Sequence, residues 1–236
     1  IDKIAWENQN FPSDKFSFVK KSISDHLNLM VEDISNYNFH QRLKPKIFLG
    51  NSIEFPTHIL SEIQFTFFSP PYCNCFDYFE IHKVELWLGG FVSNRNDFKI
   101  LRNSGLRSNI NSLANKDITF NHNIIEKLIE LFNSEKLWNK KIPLVIRGYF
   151  DDMYQLLLKL YNQTIRGGKV CIVIGNSAYS GVIIPSDLLL AKMGEEIGFR
   201  VSNILVTRHL TTSSQQKQAL STLKQYLRES IVILEK

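Results

Sequence analysis

Cysteine is scarce in this sequence, and its scarcity bears on the compartment in which the protein works. Among 236 residues, the cysteines are Cys73, Cys75 and Cys171. An odd, low number argues against a disulfide framework and favours a reducing compartment. The first residues also lack the basic start and apolar stretch of a secretory signal peptide. We therefore expect a cytoplasmic protein.

Long apolar runs are absent as well. No stretch approaches the roughly 18 consecutive apolar residues that a membrane-spanning helix requires. Apolar residues nevertheless make up 44% of the chain, which is enough to build a hydrophobic core. The sequence thus predicts a folded protein with no membrane partner.

Patterns typical of metal sites are also missing. Cys73 and Cys75 are separated by a single residue, which is poor spacing for zinc, and no second cysteine pair accompanies them. The six histidines are scattered and form neither an HxxxH nor an HExxH pattern. We therefore expect no metal site, and we interpret Cys73 and Cys75 as small residues that pack beneath a neighbouring loop.

Segments of helical and strand character alternate along much of the chain. Five strands are predicted, at 46–50, 63–68, 170–174, 200–207 and 230–234. Four helices are predicted, at 16–37, 77–88, 153–161 and 186–197. Gly167-Gly168 is expected to end the third helix, and residues 93–141, polar and rich in asparagine, are interpreted as a partly helical insertion. The alternation predicts an α/β fold with a mainly parallel sheet.

The most informative segment is Ser69-Pro70-Pro71-Tyr72, which follows the strand predicted at 63–68. Active sites of open α/β sheets lie beyond the carboxyl ends of the strands, where this tetrad is expected. Two prolines make a rigid turn. The ring of Tyr72 can stack on a planar ligand, and the Ser69 hydroxyl and a backbone carbonyl can accept hydrogen bonds. On these four residues by themselves, a plain strand-to-loop turn is the alternative.

The tetrad resembles the catalytic motif of bacterial DNA amino methyltransferases, (Asp/Asn/Ser)-Pro-Pro-(Tyr/Phe). Further segments resemble one subfamily of these enzymes in the same order: Glu85-Leu86-Trp87, Leu106-Arg107-Ser108, Gly148-Tyr149-Phe150-Asp151-Asp152-Met153, Gly175-Asn176-Ser177, Ile184-Pro185-Ser186-Asp187 and Leu227-Arg228-Glu229-Ser230. The resemblance extends from about residue 45 to the end of the chain. It implies a Rossmann-like, S-adenosylmethionine-dependent methyltransferase fold, a single catalytic domain over 1–236, and a role in restriction–modification.

The resemblance also implies a mechanism in which the target base of double-stranded DNA is flipped out of the helix. Tyr72 would stack on the base. Ser69 and the carbonyl of Pro70, held by the rigid turn that Pro71 completes, would accept hydrogen bonds from the exocyclic amino group, and the nitrogen would then attack the sulfonium methyl directly. Serine at the first position resembles the cytosine-N4 class more than the adenine-N6 class. Adenine N6, an RNA substrate and a non-catalytic DNA-recognition or regulatory subunit remain as alternatives.

One expected part of such an enzyme is missing. Methyltransferases of this family hold S-adenosylmethionine at a Gly-rich loop like Asp-Pro-Phe-x-Gly-x-Gly, and the sequence contains no such segment. We therefore expect a fold that is incomplete at its N-terminal half, with the loop supplied by a second polypeptide or a missing segment. Asn51, in Gly50-Asn51-Ser52, lies where relatives often carry an acidic residue near the adenine of the cofactor. It is the expected cofactor contact of this chain.

Several polar side chains are candidates for contact with DNA. They are Asn74, Arg102, Arg107, Asn176, Ser177 and Arg208. The net charge of +5 suits a polyanion but is weak support by itself. The two arginines of the insertion could hold phosphates or read base edges, unless the insertion is simply a solvated polar surface. Arg208 could equally belong to a polar loop, and Arg228 and Glu229 are interpreted as an ion pair before the last strand.

Overall fold

The computed structural model describes residues 14–36, 46–54, 62–113, 117–132, 137–211, 220 and 222–236. The chain divides into two compact units, Ile1–Phe48 and Leu49–Lys236, and each is described by itself. The first unit contains the helix α1 (Lys15–Asn36), close to its predicted bounds. The strand predicted at 46–50 is wrong, because the backbone there forms no ladder.

The second unit contains a mixed set of helices and strands. The strands are β1 (Ile63–Phe68), β2 (Thr164–Gly175), β3 (Ser177–Tyr179), β4 (Val182–Ile184), β5 (Arg200–His209) and β6 (Arg228–Glu235). The helices are α2 (Tyr78–Ile81), α3 (Lys83–Leu88), α4 (Arg95–Ser104), α5 (Asn123–Glu130), α6 (Ile142–Gln163) and α7 (Ser186–Ile197), with a 3₁₀ turn at Lys224–Tyr226. Among the described residues, no helix is both long and apolar enough to cross a membrane.

Four strands form one sheet in the order β1-β2-β6-β5, and β3 and β4 form a separate hairpin. β1 runs parallel to β2, with Phe68 opposite Ile172, whereas β6 runs antiparallel to both β2 and β5. The α/β class is therefore confirmed, but the prediction of a mainly parallel sheet is wrong for the described strands. The reason is the position of β6, which lies between β2 and β5 and runs antiparallel to both of them.

The hydrophobic core lies between one face of this sheet and the helices α6 and α7. Alternate residues of β2 and β6 point into it, and Val170, Ile172, Ile174, Val232 and Leu234 are all fully buried. α6 contributes a continuous buried stripe that includes Tyr149, Phe150, Met153 and Leu157. This packing fixes the carboxyl ends of β1 and β2, where the candidate site lies.

Two local predictions differ from the structure. Gly167 and Gly168 do not end a helix, since α6 ends at Gln163 and both glycines lie inside β2. A Cβ at Gly168 would lie 3.0 Å from the backbone oxygen of Ile63, so glycine lets β1 approach β2. The helix predicted at 77–88 is divided at His82 into α2 and α3.

The region predicted as an insertion, 93–141, contains α4 and α5. These two helices confirm the prediction that the region is partly helical. The β3–β4 hairpin was not predicted. Its turn holds Ser180 at φ 51° and Gly181 at φ 83°, the left-handed pair that a tight hairpin requires.

Candidate active site

The Ser69-Pro70-Pro71-Tyr72 corner begins directly where β1 ends. Ser69 is exposed, Pro70 is buried, and Pro71 and Tyr72 are half-buried. The position predicted from sequence, at the carboxyl end of a sheet strand, is confirmed. The corner is therefore a rigid turn whose serine is exposed.

The loop after the corner is held by backbone contacts. The hydroxyl of Tyr179 donates to the carbonyl of Cys73 at 2.9 Å, and the amide of Cys75 donates to the carbonyl of Ser108 at 3.1 Å. These bonds support Cys75 in the left-handed region, at φ 59°, which is uncommon for a residue with a side chain. Cys73 is fully buried, and burial raises the pKa of its thiol, which makes it an unsuitable nucleophile.

A cavity of about 730 Å³ lies beside the corner. Ser69, Pro70 and Pro71 line it, and most of the rest of its wall is apolar, including Phe68, Phe79, Leu101, Leu156 and Leu160. A size of roughly 300–1,000 Å³ and mostly apolar walls with a few polar groups are typical of small-molecule sites. Among the described residues, no group of three or more histidine, cysteine or acidic side chains could hold a metal ion there or elsewhere.

Asn51 lines the same cavity. Its side-chain oxygen accepts a hydrogen bond from the amide of Ile53 at 3.0 Å, and its nitrogen donates to the carbonyl of Ser104 at 3.5 Å. Lys159 on α6 donates to the carbonyl of Ile53 at 2.7 Å and so anchors this turn to the core. The structure thus brings the predicted cofactor contact and Ser69, Pro70 and Pro71 of the predicted corner to one cavity, whereas Tyr72 is not among the residues that line it.

Tyr72 points to the ends of the other strands. Its ring lies against Gly175, where a Cβ would approach the ring carbon Cε2 to 2.6 Å, so glycine is required at that position. Its hydroxyl donates to Oε2 of Glu229 at 2.7 Å. Gly175, Glu229 and Arg208 lie directly opposite one another across β2, β6 and β5. Tyr72 therefore joins the corner to a row of residues on three strands.

Glu229 is the centre of this row. Its carboxylate accepts hydrogen bonds from Arg208 at 3.0 Å to Oε1 and 2.8 Å to Oε2, and from the Thr207 hydroxyl at 3.2 Å. The bonds from Arg208, and then that from Tyr72, lower the pKa of Glu229 to about 2. Burial, followed by the contact with Glu229, raises the pKa of Tyr72 to about 12. Between these values the pair consists of a carboxylate and a neutral phenol.

The contact of Glu229 with Tyr72 and Arg208 was not predicted from the sequence. An ion pair between Arg228 and Glu229 was expected, but that interpretation is wrong: Arg228 pairs with Asp187 at 2.8 Å instead. Neighbouring residues of a strand point to opposite faces, which separates the two side chains. The pairing of Glu229 with Arg208 depends on the register of β6 against β5, and no local sequence pattern encodes that register.

Three of the predicted DNA contacts lie at or near the surface. Asn74 is exposed, and its side-chain oxygen accepts a bond from the amide of Phe76 at 3.1 Å. The side chain of Arg208 is 67% exposed despite its pair with Glu229. Arg102 is more shielded, because it pairs with Glu80 at 2.8 Å and lies over the ring of Phe98.

The other three predicted DNA contacts, Arg107, Asn176 and Ser177, are buried in the structure. Arg107 is buried and paired with Asp151 and Asp152, at 2.6 and 2.7 Å. Asn176 and Ser177 are each only 6% exposed. The Asn176 side chain donates to the carbonyl of Tyr226 and accepts from the amide of Asp187. We therefore assign these three residues to packing and remove them from the candidate DNA contacts, because a buried side chain presents nothing to a duplex.

Comparison with known proteins supports the resemblance drawn from the sequence. The chain is homologous to the Type II methyltransferase M.AvaI, described from Nostoc sp. and from Anabaena variabilis, at 30% identity over 239 residues, covering 86% of this chain and 48% of the relative. It is also homologous to the Type II methyltransferase M.BsoBI of Geobacillus stearothermophilus, at 30% identity over 71% of this chain and 37% of that protein. The chain thus spans about half the length of these curated relatives or less. No protein-family model matches it.

Among solved structures, a proposed DNA modification methylase of Thermus thermophilus, TTHA0409, superposes with a TM-score of 0.37 at 11% identity, covering 80% of this chain and 52% of that one. A second structure of it gives a TM-score of 0.28 at 14% identity, over 37% of this chain and 36% of that one. Neither superposition is close enough to carry an argument about the fold.

Proposed function

We propose that this homologue of Type II methyltransferases is the catalytic-corner part of a DNA methyltransferase, which transfers a methyl group from S-adenosylmethionine to the exocyclic amino group of a flipped-out base. The observation that carries the proposal is the shared cavity: Asn51 and the Ser69-Pro70-Pro71 corner line one space of about 730 Å³. A methyl donor and an acceptor base have to meet in such a space.

The corner would orient the target base and polarise its exocyclic amino group. The Ser69 hydroxyl and the carbonyl of Pro70 would accept hydrogen bonds from the two N–H groups of the base. Those bonds draw the nitrogen lone pair out of conjugation with the ring and leave it free for in-line attack. Tyr72 would stack on the base and limit its rotation. The rigid Pro-Pro turn keeps these groups in place before the base arrives.

S-adenosylmethionine supplies an electrophilic methyl group when it is bound. Asn51 fits the adenine end of that molecule, because its amide has both donor and acceptor capacity left beyond its bonds to Ile53 and Ser104. The apolar neighbours Leu49 and Ile53 also line this part of the cavity. The sequence lacks the Gly-rich loop for the remainder of the cofactor. A second polypeptide or a missing segment therefore completes the site.

The proposed nucleic-acid partner is double-stranded DNA. The chain carries a net charge of +5. Asn74, next to the corner, and Arg208, at the end of β5, are exposed at the same edge of the sheet, where they can contact the backbone of a duplex. Arg102 contributes if DNA draws it from its carboxylate partners. The proposal treats 1–236 as one methyltransferase domain of Rossmann-like type, incomplete at its N-terminal half, with 93–141 as its insertion.

The expected product is N4-methylcytosine. The test is to co-express the protein with the polypeptide or segment that carries the Gly-rich loop, looked for first in the neighbouring reading frame, and to incubate the complex with a long duplex DNA of mixed sequence and labelled S-adenosylmethionine. Mass spectrometry of the digested DNA should show N4-methyldeoxycytidine. If N6-methyldeoxyadenosine is the only product, the target base is adenine and not cytosine. If a parallel reaction with RNA takes up label and the DNA does not, the substrate is RNA.

The control separates an enzyme from a non-catalytic subunit. We expect Ser69→Ala to lower methyl transfer by about 10²–10³-fold, which is the usual effect of removing one preorganised polar partner. Ser202, exposed on β5 and outside the cavity, is the matched position, and Ser202→Ala should leave the rate unchanged. Equal rates in the two variants would favour the non-catalytic alternative.

A further inference from the structure

We propose that Glu229 is a positioning residue for methyl transfer: it holds the hydroxyl of Tyr72 and thereby fixes the plane of the ring that receives the base. This inference rests on the proposed function, since it concerns the same corner. It assigns a task to a residue outside the tetrad and outside the cavity.

Two contacts hold the ring of Tyr72 in place. One edge, formed by Cδ2 and Cε2, lies against the backbone of Gly175. The hydroxyl donates to Glu229 at 2.7 Å, across a separation of 157 residues in sequence. A ring with one edge packed and its far end hydrogen-bonded has little freedom to turn about its side-chain bonds. Glu229 supplies the second of these two constraints.

Glu229 is itself immobilised. Arg208 donates a hydrogen bond to each of the two carboxylate oxygens of Glu229. The Thr207 hydroxyl donates to the carboxylate and to the backbone carbonyl of Glu229. A bidentate arginine–carboxylate pair fixes direction as well as charge. The side chain of Glu229 is only 13% exposed, although that of Arg208 is 67% exposed. The carboxylate of Glu229 is thus held in one orientation, and the hydroxyl of Tyr72 is hydrogen-bonded to it.

A second glutamate on β6 provides an internal comparison. Glu235 lies opposite Arg200 just as Glu229 lies opposite Arg208, and the Arg200–Glu235 pair measures 2.8 Å, the same as the Arg208–Glu229 pair. Glu235 is six positions along the same strand, on the same face, at the far end of the sheet from the corner. The two ion pairs are alike, but the tyrosine hydroxyl is bound by Glu229. A role in positioning therefore belongs to Glu229 and not to Glu235.

The test measures methyl transfer by the complex described above for Glu229→Ala, Glu229→Gln and the matched control Glu235→Ala. Glu229→Ala should lower kcat by about 10- to 100-fold, as small misplacements of reacting groups do, while KM for S-adenosylmethionine changes by less than about threefold. Glu229→Gln keeps an oxygen that can accept from Tyr72 and should recover most of the loss. Glu235→Ala should match the unaltered protein.

A double-mutant cycle shows whether Glu229 acts through the hydroxyl. Tyr72→Phe removes only that hydroxyl. If the proposal is right, the double variant Tyr72→Phe, Glu229→Ala loses no more activity than the more damaging of the two single variants. Losses that multiply, or a normal kcat for Glu229→Ala, overturn the proposal.

A measurement without turnover keeps the two proposals distinguishable. In the protein labelled with ¹³C-tyrosine, the NMR signal that Tyr72→Phe removes belongs to Tyr72. A pH titration of that signal should give a lower pKa for Tyr72 in Glu229→Gln than in the native protein, because the variant loses the carboxylate contact but keeps the burial that is the largest cause of the raised pKa. An equal Tyr72 pKa in the two proteins, both shown by circular dichroism to be folded, overturns the positioning role. A native complex that transfers no methyl group overturns the proposed function instead.

Discussion

Arg107 and Asp152 form a buried ion pair that fastens the insertion to the core helix α6. The carboxylate of Asp152 accepts from the backbone amide of Arg107 at 2.9 Å, from its Nε at 3.0 Å and from its Nη2 at 2.7 Å. Asp151 adds a second partner for the guanidinium and also accepts from the amide of Phe120. Since Leu106 and Ser108 flank Arg107 and line the cavity, this pair fixes one wall of the candidate site.

Removing one partner of this pair should be costly. We expect Asp152→Ala to lower the free energy of unfolding by about 3–5 kcal/mol, because it leaves a charged guanidinium buried and short of acceptors. Urea unfolding followed by circular dichroism measures the change. Glu195→Ala is the control, because its pair with Lys192 is about half exposed and should contribute no more than about 1 kcal/mol. Similar losses in both variants would mean that Asp152 is not a buried anchor.

Gly175 should tolerate no side chain. In Gly175→Ala the new Cβ would lie 2.6 Å from Tyr72 Cε2, so the ring has to shift, which disturbs its hydrogen bond to Glu229. We expect about a 100-fold loss of methyl transfer, the scale that a misplaced reacting group produces. Gly167→Ala, in the same strand, meets nothing within 4 Å and is strained only by its φ of +76°. It should lower stability by about 1–2 kcal/mol and leave the rate unchanged. Normal activity in Gly175→Ala would contradict the placement of Tyr72.

The Tyr72–Glu229 pair should make the stability of the protein depend on pH in a specific way. The folded pKa of Glu229 lies at about 2, below its ordinary 4.5, so its contribution to stability is complete above about pH 5 and is lost as the pH falls towards 2. The folded pKa of Tyr72 is raised to about 12, so its contribution is complete below its ordinary 10.0 and is lost as the pH rises through 12. The stability difference between the native protein and Glu229→Gln should therefore stay constant between about pH 5 and 9 and shrink below about pH 4. Urea unfolding over a pH series measures it, and a difference that grows towards low pH would rule out the carboxylate.

Cofactor binding should depend on Asn51 and on the missing loop. Calorimetry should show weak binding of S-adenosylmethionine to this chain by itself and tighter binding to the complex that includes the proposed Gly-rich loop. In the complex, Asn51→Ala should weaken binding by about tenfold, the effect of one lost hydrogen bond. Asn203, exposed on β5 and away from the cavity, gives the matched control. Tight binding by the isolated chain would show that no further segment is needed.

Several features of the fold could be predicted because their causes are local. The strand before Ser69 is a run of β-branched and aromatic residues ended by two prolines, so the corner had to follow a strand. The apolar spacing of α6 and the glycine that ends α7 also depend only on near neighbours. The sequence by itself therefore determined these local elements and the order in which the site residues follow along the chain.

The tertiary structure decided which residues face one another. Arg107 belongs to a basic stretch in the sequence and becomes buried only because Asp151 and Asp152 lie beneath it, 44 and 45 residues away. Glu229 gains its partners from β5 and from Tyr72, which is 157 residues distant. Periodicity states which face of an element is buried, but the partner opposite depends on strand register and packing across the whole sheet. For that reason the tetrad could be found in the chain, while the carboxylate that holds its tyrosine could be found only in the fold.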